Sequence, residues 1–156
     1  MHRLLKLDIF VMHLMNMADR HSKEQRHYNM SRIKGRNTKP EIVVRRRLFA
    51  DGFRFRVNVR TLPGTPDIVL PKYHTVIFVN GCFWHGHDGC RYYVVPDTNR
   101  NFWTEKIHRN RERDRVASEK LESQGWNVIV IWECDLKKAV IEETMTAVIS
   151  KLKENL

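Results

Sequence analysis

The sequence holds no apolar run approaching the ~20 residues that a membrane-spanning helix needs. It holds only three cysteines, an odd number, which argues against a disulfide framework and leaves metal ligation or burial as their use. It has no internal repeat and no low-complexity segment, so repeat architectures fall away. The opening stretch MHRLLKLDIFVMHLMN imitates a secretory signal only loosely, because Asp8, His13 and Asn16 interrupt it and no small-residue cleavage site follows. A cytoplasmic location is the expectation. Met17, followed by Ala, reads as a true start, with residues 1–16 as an upstream extension. Acidic residues are scarce as well: 18 Asp and Glu stand against 28 Lys and Arg, giving a formal charge of +10 and a pI near 9.9.

That imbalance points to a polyanionic partner. It is also concentrated, since residues 31–60 carry ten Lys and Arg against only Glu41 and Asp51. A merely solvated surface would intersperse the two signs. The length of 156 residues and a hydrophobic content of 42% fit one globular domain with a real core.

Residues 17–37 read as a polar, basic arm that includes a short helix. Thr38-Lys39-Pro40-Glu41 opens the next helix, with Thr38 and Glu41 at capping-box spacing and Pro40 in the first turn. That helix carries Ile42, Val44, Leu48 and Phe49 and stops near Gly52. FRFRVNV (53–59) alternates as a half-buried strand does, and DIVLP and TVIFVNG are apolar strands that pair as hairpin neighbours. A long basic helix follows and ends at Gly125. WNVIVIWE (126–133) is continuously apolar and predicts a strand buried on both faces. Val140, Ile141, Thr144, Met145, Val148, Ile149 and Leu152 recur at helical spacing as a core-packing stripe. The order predicts an α/β fold, a sheet sandwiched by helices in one domain.

The chemistry gathers after TVIFVNG. Cys82, His87 and Cys90 form C-x4-H-x2-C on one short loop, and Cys134 at the end of the WNVIVIWE strand is the remaining cysteine. Three thiolates and one imidazole are a common closed structural zinc set. His85 is left over, either as a surface group beside the metal loop or as a base able to take a proton from water. Asp67 has two readings, a turn residue after Pro66 or a carboxylate that holds a hard cation together with a main-chain carbonyl. Glu41 is likewise a capping residue first and an active-site carboxylate second. Phe83-Trp84 and Phe102-Trp103, interleaved with basic residues, suit wedging between bases or roofing the metal loop.

Taken together, LPGTPDIV, VIFVNGCFWHGHDGC, PDTNRNFWTEKIHRNRERD and LESQGWNVIVIWEC closely resemble the very short patch repair (Vsr) DNA mismatch endonuclease family, over roughly residues 22–138. The resemblance implies a restriction-endonuclease-like fold, with a central mixed sheet flanked by helices and a structural zinc site. It places an extension or mobile arm over residues 1–21 and the endonuclease domain over 22–156. The implied activity is Mg²⁺-dependent nicking beside the thymine of a T:G mismatch, the lesion left when 5-methylcytosine deaminates. Asp67 would bind Mg²⁺ with the Val79 carbonyl, His85 would be the general base, and Glu41 an auxiliary acid. Cys82, His87, Cys90 and Cys134 would hold Zn²⁺. Phe83, Trp84 and Trp103 would wedge into the duplex, with the basic arm (Arg32 and Lys34) and Asn80 among the DNA contacts. The resemblance further implies a monomer in the bacterial cytoplasm, on the nucleoid when DNA-bound, linked to a cytosine-5 methyltransferase and to mismatch-repair proteins.

The chain departs from some family members at Asn80, where they have histidine, at Val79, where they have threonine, and in one extra residue between Cys82 and Cys90. Its VIFVNG strand also lacks the second acid and the lysine usual in restriction folds, so the base function falls to His85. Two rivals stand beside this reading: a restriction-type nuclease for matched DNA, and a zinc-stabilised DNA-binding module without activity. Asp67 and His85 argue against the module, which needs neither.

Overall fold

Described over residues 22–155 in a computed structural model, the chain begins with a short helix, α1 (Lys23–Ser31). Ser22 closes its first turn by accepting the Gln25 N–H on Oγ at 3.2 Å. The expected start at Met17 and the extension over residues 1–21 lie outside the described residues.

Helix α2 (Lys39–Ala50) starts where the capping box places it, with Thr38 as N-cap and Glu41 reaching back to the Thr38 N–H at 3.2 Å. Val44 and Leu48 are its fully buried residues, whereas Phe49 is 59% exposed beneath the Arg54 guanidinium. Strand β1 is only Arg56–Val57, shorter than the alternating pattern over 53–59 predicts. Phe53 is buried in the core rather than paired, and Asn58 adopts φ +48, which turns the chain out of the ladder.

Strands β2 (Ile68–Leu70) and β3 (Thr75–Asn80) form the expected antiparallel hairpin, joined through a turn over Pro71–Tyr73. Helix α3 (Arg100–Ser123) then crosses over, and β4 (Asn127–Trp132) returns parallel to β3. Gly125, at φ +84, ends α3, letting the Gly125 N–H reach Glu122 O at 2.9 Å and the Trp126 N–H reach Leu121 O at 3.0 Å. Helix α4 (Ile141–Glu154) closes the chain. The sheet is mixed, in the order β1-β2-β3-β4.

Pleating sends alternate residues to two cores. Ile68, Leu70, Ile77, Val79 and Ile131 face α2 and α4, meeting Val44, Leu48, Met145, Val148 and Leu152. Val69 and Val76 face α3, meeting Leu121, with Phe78 and Val128 packed alongside. Of the expected stripe, Met145, Val148 and Leu152 are buried and Ile141, Thr144 and Ile149 half-buried, whereas Val140 precedes α4 and is exposed. The reading of β4 as buried on both faces is corrected: it is the edge strand, only Ile131 is buried and Val130 is 42% exposed. β3, paired on both sides, takes the central place instead, and α3 does not extend its cover over Val130. No helix among the described residues is long and apolar enough to cross a membrane.

Candidate active site

Parallel register places Asn80 opposite Trp132, so both chains leave the sheet at the same level. Two residues beyond each lie Cys82 and Cys134, and the register thereby joins cysteines that are distant in sequence. The loop after β3 folds back on itself: the His87 N–H donates to Cys82 O at 2.9 Å and the Cys90 N–H to His87 O at 3.2 Å. The ligand atoms of Cys82, His87, Cys90 and Cys134 all lie within 4.8 Å of one another. Donors around one zinc, with Zn–S about 2.3 Å, would stand roughly 3.8 Å apart, a spacing compatible with this cluster. Burial pushes the Cys82 thiol up to about 11, and burial followed by the neighbouring Cys82 pushes the Cys134 thiol up too. A cation among three sulfurs reverses that balance by stabilising the thiolates. The donor set thus fits a metal ion such as zinc. The Trp132 ring lies flat on His87, with centroids 4.1 Å apart and planes 4° from parallel, and steadies that imidazole.

Helix α3 grips the same loop from the other side. Asn110 Nδ2 donates to Trp84 O at 2.9 Å, and the Arg111 guanidinium takes both Asp88 oxygens at 3.2 and 2.7 Å. Gly86 permits the approach: at φ +62, a Cβ there would come within 2.8 Å of Ile107 and 3.0 Å of Arg111. One turn further along α3, Asp114 Oδ2 meets His85 Nδ1 at 2.5 Å. The sequence reading left Asp114 out. Its signal was there in the spacing Ile107–Asp114–Leu121, an acid placed in line with two buried apolar residues on the inward side of the helix.

Asp67 stands at the start of β2, across from the end of β3, where its Oδ2 accepts the Val79 N–H at 2.8 Å. Oδ1 accepts no hydrogen bond among the described residues. Burial raises the Asp67 carboxyl to about 6; the Val79 N–H opposes this, nearby Glu41 adds to it, and Arg45 and His85 pull it down. A half-buried carboxylate near an imidazole, with one oxygen outside the hydrogen-bond network, is suited to a hard cation.

Glu41 is 3% exposed and heavily engaged. Its Oε1 accepts from Thr38 N at 3.2 Å and Thr38 Oγ1 at 2.8 Å, while Oε2 accepts from Asn37 N and Arg45 Nη2, each at 2.8 Å. Arg45 is a second residue the sequence reading passed over, although it sits at the i,i+4 spacing at which Glu and Arg pair on a helix.

Phe83, Trp84 and Trp103 form one aromatic cluster, with centroids 5.1 to 6.0 Å apart and rings edge to face. Phe102 flanks it and is 52% exposed. The Lys106 ammonium lies 5.4 Å from the Trp84 ring and 5.6 Å from the Trp103 ring. Asn80 is buried at the end of β3, while Arg32 and Lys34 are exposed in the loop that follows α1. That loop ends at Asn37, whose side chain accepts from Arg45 Nη1 at 2.7 Å, so the basic arm ends beside Glu41.

The mixed sheet thus carries a carboxylate, a His–Asp pair, a thiol cluster that could hold a metal and an aromatic cluster, a set suited to hydrolysis of a polyanionic substrate. Comparison with known proteins agrees. The family described as DNA mismatch endonuclease Vsr matches residues 18–91. The type II nicking enzyme V.XorIIP of Xanthomonas oryzae is 48% identical over 120 residues, covering 77% of this chain and 88% of that protein. The type II nicking enzyme V.NmeAIP of Neisseria meningitidis is 45% identical over 139 residues, covering 88% and 99%. The DNA mismatch endonuclease Vsr of Escherichia coli is 43% identical over 132 residues, covering 83% and 84%. The chain belongs to the Vsr family of DNA mismatch endonucleases. It is an enzyme, a DNA endonuclease.

Proposed function

We propose that the protein nicks one strand of duplex DNA beside the thymine of a T:G mismatch, with Mg²⁺ at Asp67 and Zn²⁺ at the thiol cluster. The observation that carries this reading is the placement of His85, with Nδ1 held by Asp114 at 2.5 Å, on the loop that borders Asp67. With Nδ1 committed to a carboxylate, Nε2 is the ring atom left to take a proton from water, and Asp114 stabilises the imidazolium that results. Bound Mg²⁺ supplies charge stabilisation for the phosphoryl oxygens. Asp67 Oδ1 and the Val79 carbonyl are the groups that would hold it. Glu41 supports the site as an auxiliary acid from α2. Cys82, His87, Cys90 and Cys134 would hold zinc, and their work is structural, because the loop they clamp also carries Phe83, Trp84 and His85.

The aromatic cluster of Phe83, Trp84 and Trp103 wedges into the duplex. Mispaired bases unstack more cheaply than paired ones, so the wedge itself favours a mismatch. Arg32, Lys34 and Asn80 contribute DNA contacts, with the arm clasping the duplex from the opposite side. Named relatives are nicking enzymes, which supports a single-strand cut. The protein works as a monomer in the bacterial cytoplasm, on the nucleoid when DNA-bound, alongside a cytosine-5 methyltransferase and mismatch-repair proteins. The test is a nicking assay with Mg²⁺ on otherwise identical T:G and T:A duplexes. Cutting of T:G alone is the expected result; equal cutting of both identifies a restriction-type nuclease for matched DNA, and no cutting of either overturns the reading.

A further inference from the structure

Arg45 is half-buried, with a side chain 14% exposed, and its guanidinium spans three separate pieces of chain. Nη1 donates to Asn37 Oδ1 at 2.7 Å, at the end of the basic arm. Nη2 donates to Glu41 Oε2 at 2.8 Å, in the first turn of α2, and to the Asp67 main-chain carbonyl at 3.1 Å, at the start of β2. Nε is buried without a hydrogen-bond partner among the described residues. A buried ion pair is weak support for stability, and an orphaned N–H opposes it. Removing the guanidinium alone would leave Glu41 a buried charge without its partner, and what an aliphatic or ammonium group cannot supply in its place is the geometry of the three-way bridge.

Asp67 needs such a constraint. It follows Thr65, at φ +53, and Pro66, and precedes the first ladder residue Ile68. Among the described residues its carbonyl receives one main-chain bond, a long one from the Asn58 N–H at 3.4 Å. The Arg45 donor is shorter. On the other side of the guanidinium, Glu41 is itself held by the Asn37 and Thr38 N–H groups, so the anchor does not drift with a mobile side chain.

We infer that Arg45 is a positioning residue for the cation-binding carboxylate, cross-linking the arm, the first turn of α2 and the Asp67 main chain so that Asp67 meets the end of β3 in one orientation. This rests on the reading of Asp67 as the Mg²⁺ ligand, and it gives Glu41 its part: a fixed anion that holds the guanidinium in place.

The Val79 amide, which donates to Asp67 Oδ2, reports that orientation without any catalysis. In Arg45→Met, the Val79 amide resonance should shift, while those of Val76 and Ile77, deep in the sheet, should stay. The Mg²⁺ concentration that half-saturates nicking of a T:G duplex should rise by roughly 10–100-fold, the usual effect of losing a group that orients a metal ligand. Zinc content and duplex affinity without Mg²⁺ should be unchanged. Arg45→Lys keeps the charge but cannot bridge three acceptors; it should change both readouts in the same sense by less, and it carries the test if Arg45→Met does not fold. An unmoved Val79 amide together with unchanged Mg²⁺ dependence, even with a lower melting temperature, overturns the proposal. If the parent protein itself fails to nick, the nuclease reading falls, and the Val79 amide still decides the role of Arg45.

Discussion

His85 Nδ1 and Asp114 Oδ2 lie 2.5 Å apart, so a histidine on the metal-cluster loop and a carboxylate in the middle of α3 form one unit. The bond does two things at once. It fixes which ring nitrogen can face water, and it ties the loop to the helix that crosses from β3 to β4. Asp114→Asn should therefore slow nicking by about 10²–10⁴-fold, as loss of a base or its orienting partner does, with zinc content and duplex affinity retained. His85→Ala should be about as slow, and the double variant little slower than either, because residues that act as a unit are not additive. Single-turnover nicking rates of the three variants check this; additive losses would separate the two residues.

Asp67 gives a pH dependence whose sign follows from its surroundings. Burial holds its carboxyl up from 3.8 to about 6. The folded form then binds the proton more tightly than the unfolded form, so this contribution favours folding below the unfolded value and is lost as pH rises through about 6. In the absence of added Mg²⁺, Asp67→Asn should be more stable than the parent near about pH 8, by about 1–3 kcal/mol, with the gap narrowing towards about pH 5. Urea unfolding at several pH values measures it. Nicking by the variant should be abolished at every Mg²⁺ concentration. In the parent, the Mg²⁺ needed for half-maximal nicking should climb as pH falls below about 6, because the proton and the cation compete for the same oxygens.

Removing a thiol from the cluster should unfold more than the cluster. Zinc held by the four donors would clamp a loop that has little core of its own, and structural zinc contributes directly to folding free energy. Cys134→Ala should lose zinc and fold poorly, and chelation of the parent should do the same. Zinc analysis per chain gives the first readout. Tryptophan emission gives the second, since Trp132 lies on His87. A Cys134→Ala protein with full zinc occupancy would remove Cys134 from the ligand set.

The charge concentrated in residues 31–60 should make DNA affinity fall steeply with salt. Each neutralised phosphate contributes roughly −0.9 to the slope of log K against log salt concentration. Arg32→Ala and Lys34→Ala should each flatten the slope by about that amount and weaken T:G and T:A duplexes alike. A slope near zero in the parent would separate the basic charge from DNA binding.

Trp103 touches both Phe83 and Trp84, so its removal should loosen the whole wedge. Trp103→Ala should reduce the preference for T:G over T:A by about tenfold, the equivalent of one lost base–aromatic stack of ~1–3 kcal/mol. Competition binding with the two duplexes measures it, and an unchanged ratio would assign mismatch preference elsewhere.

Much of this was determined by the sequence alone, because local physics is sufficient for it. The capping box at Thr38 and Glu41, the hairpin of β2 and β3, the end of α3 at Gly125 and the buried stripe of α4 depend on residues within a few positions of one another. The thiol set was legible too, since three ligands share one loop and one cysteine remained.

Only tertiary structure decided the rest. Whether β4 was central or at the edge depends on what pairs beyond it, and an apolar run reads the same in both places. Asp114 and Arg45 look like two more charges on basic helices until packing brings one to His85 and the other to the Asp67 carbonyl. Periodicity tells which side of a helix faces inward, but not which polar group waits there; that is set by the register of β3 against β4 and by the crossover of α3, both long-range choices of the whole fold.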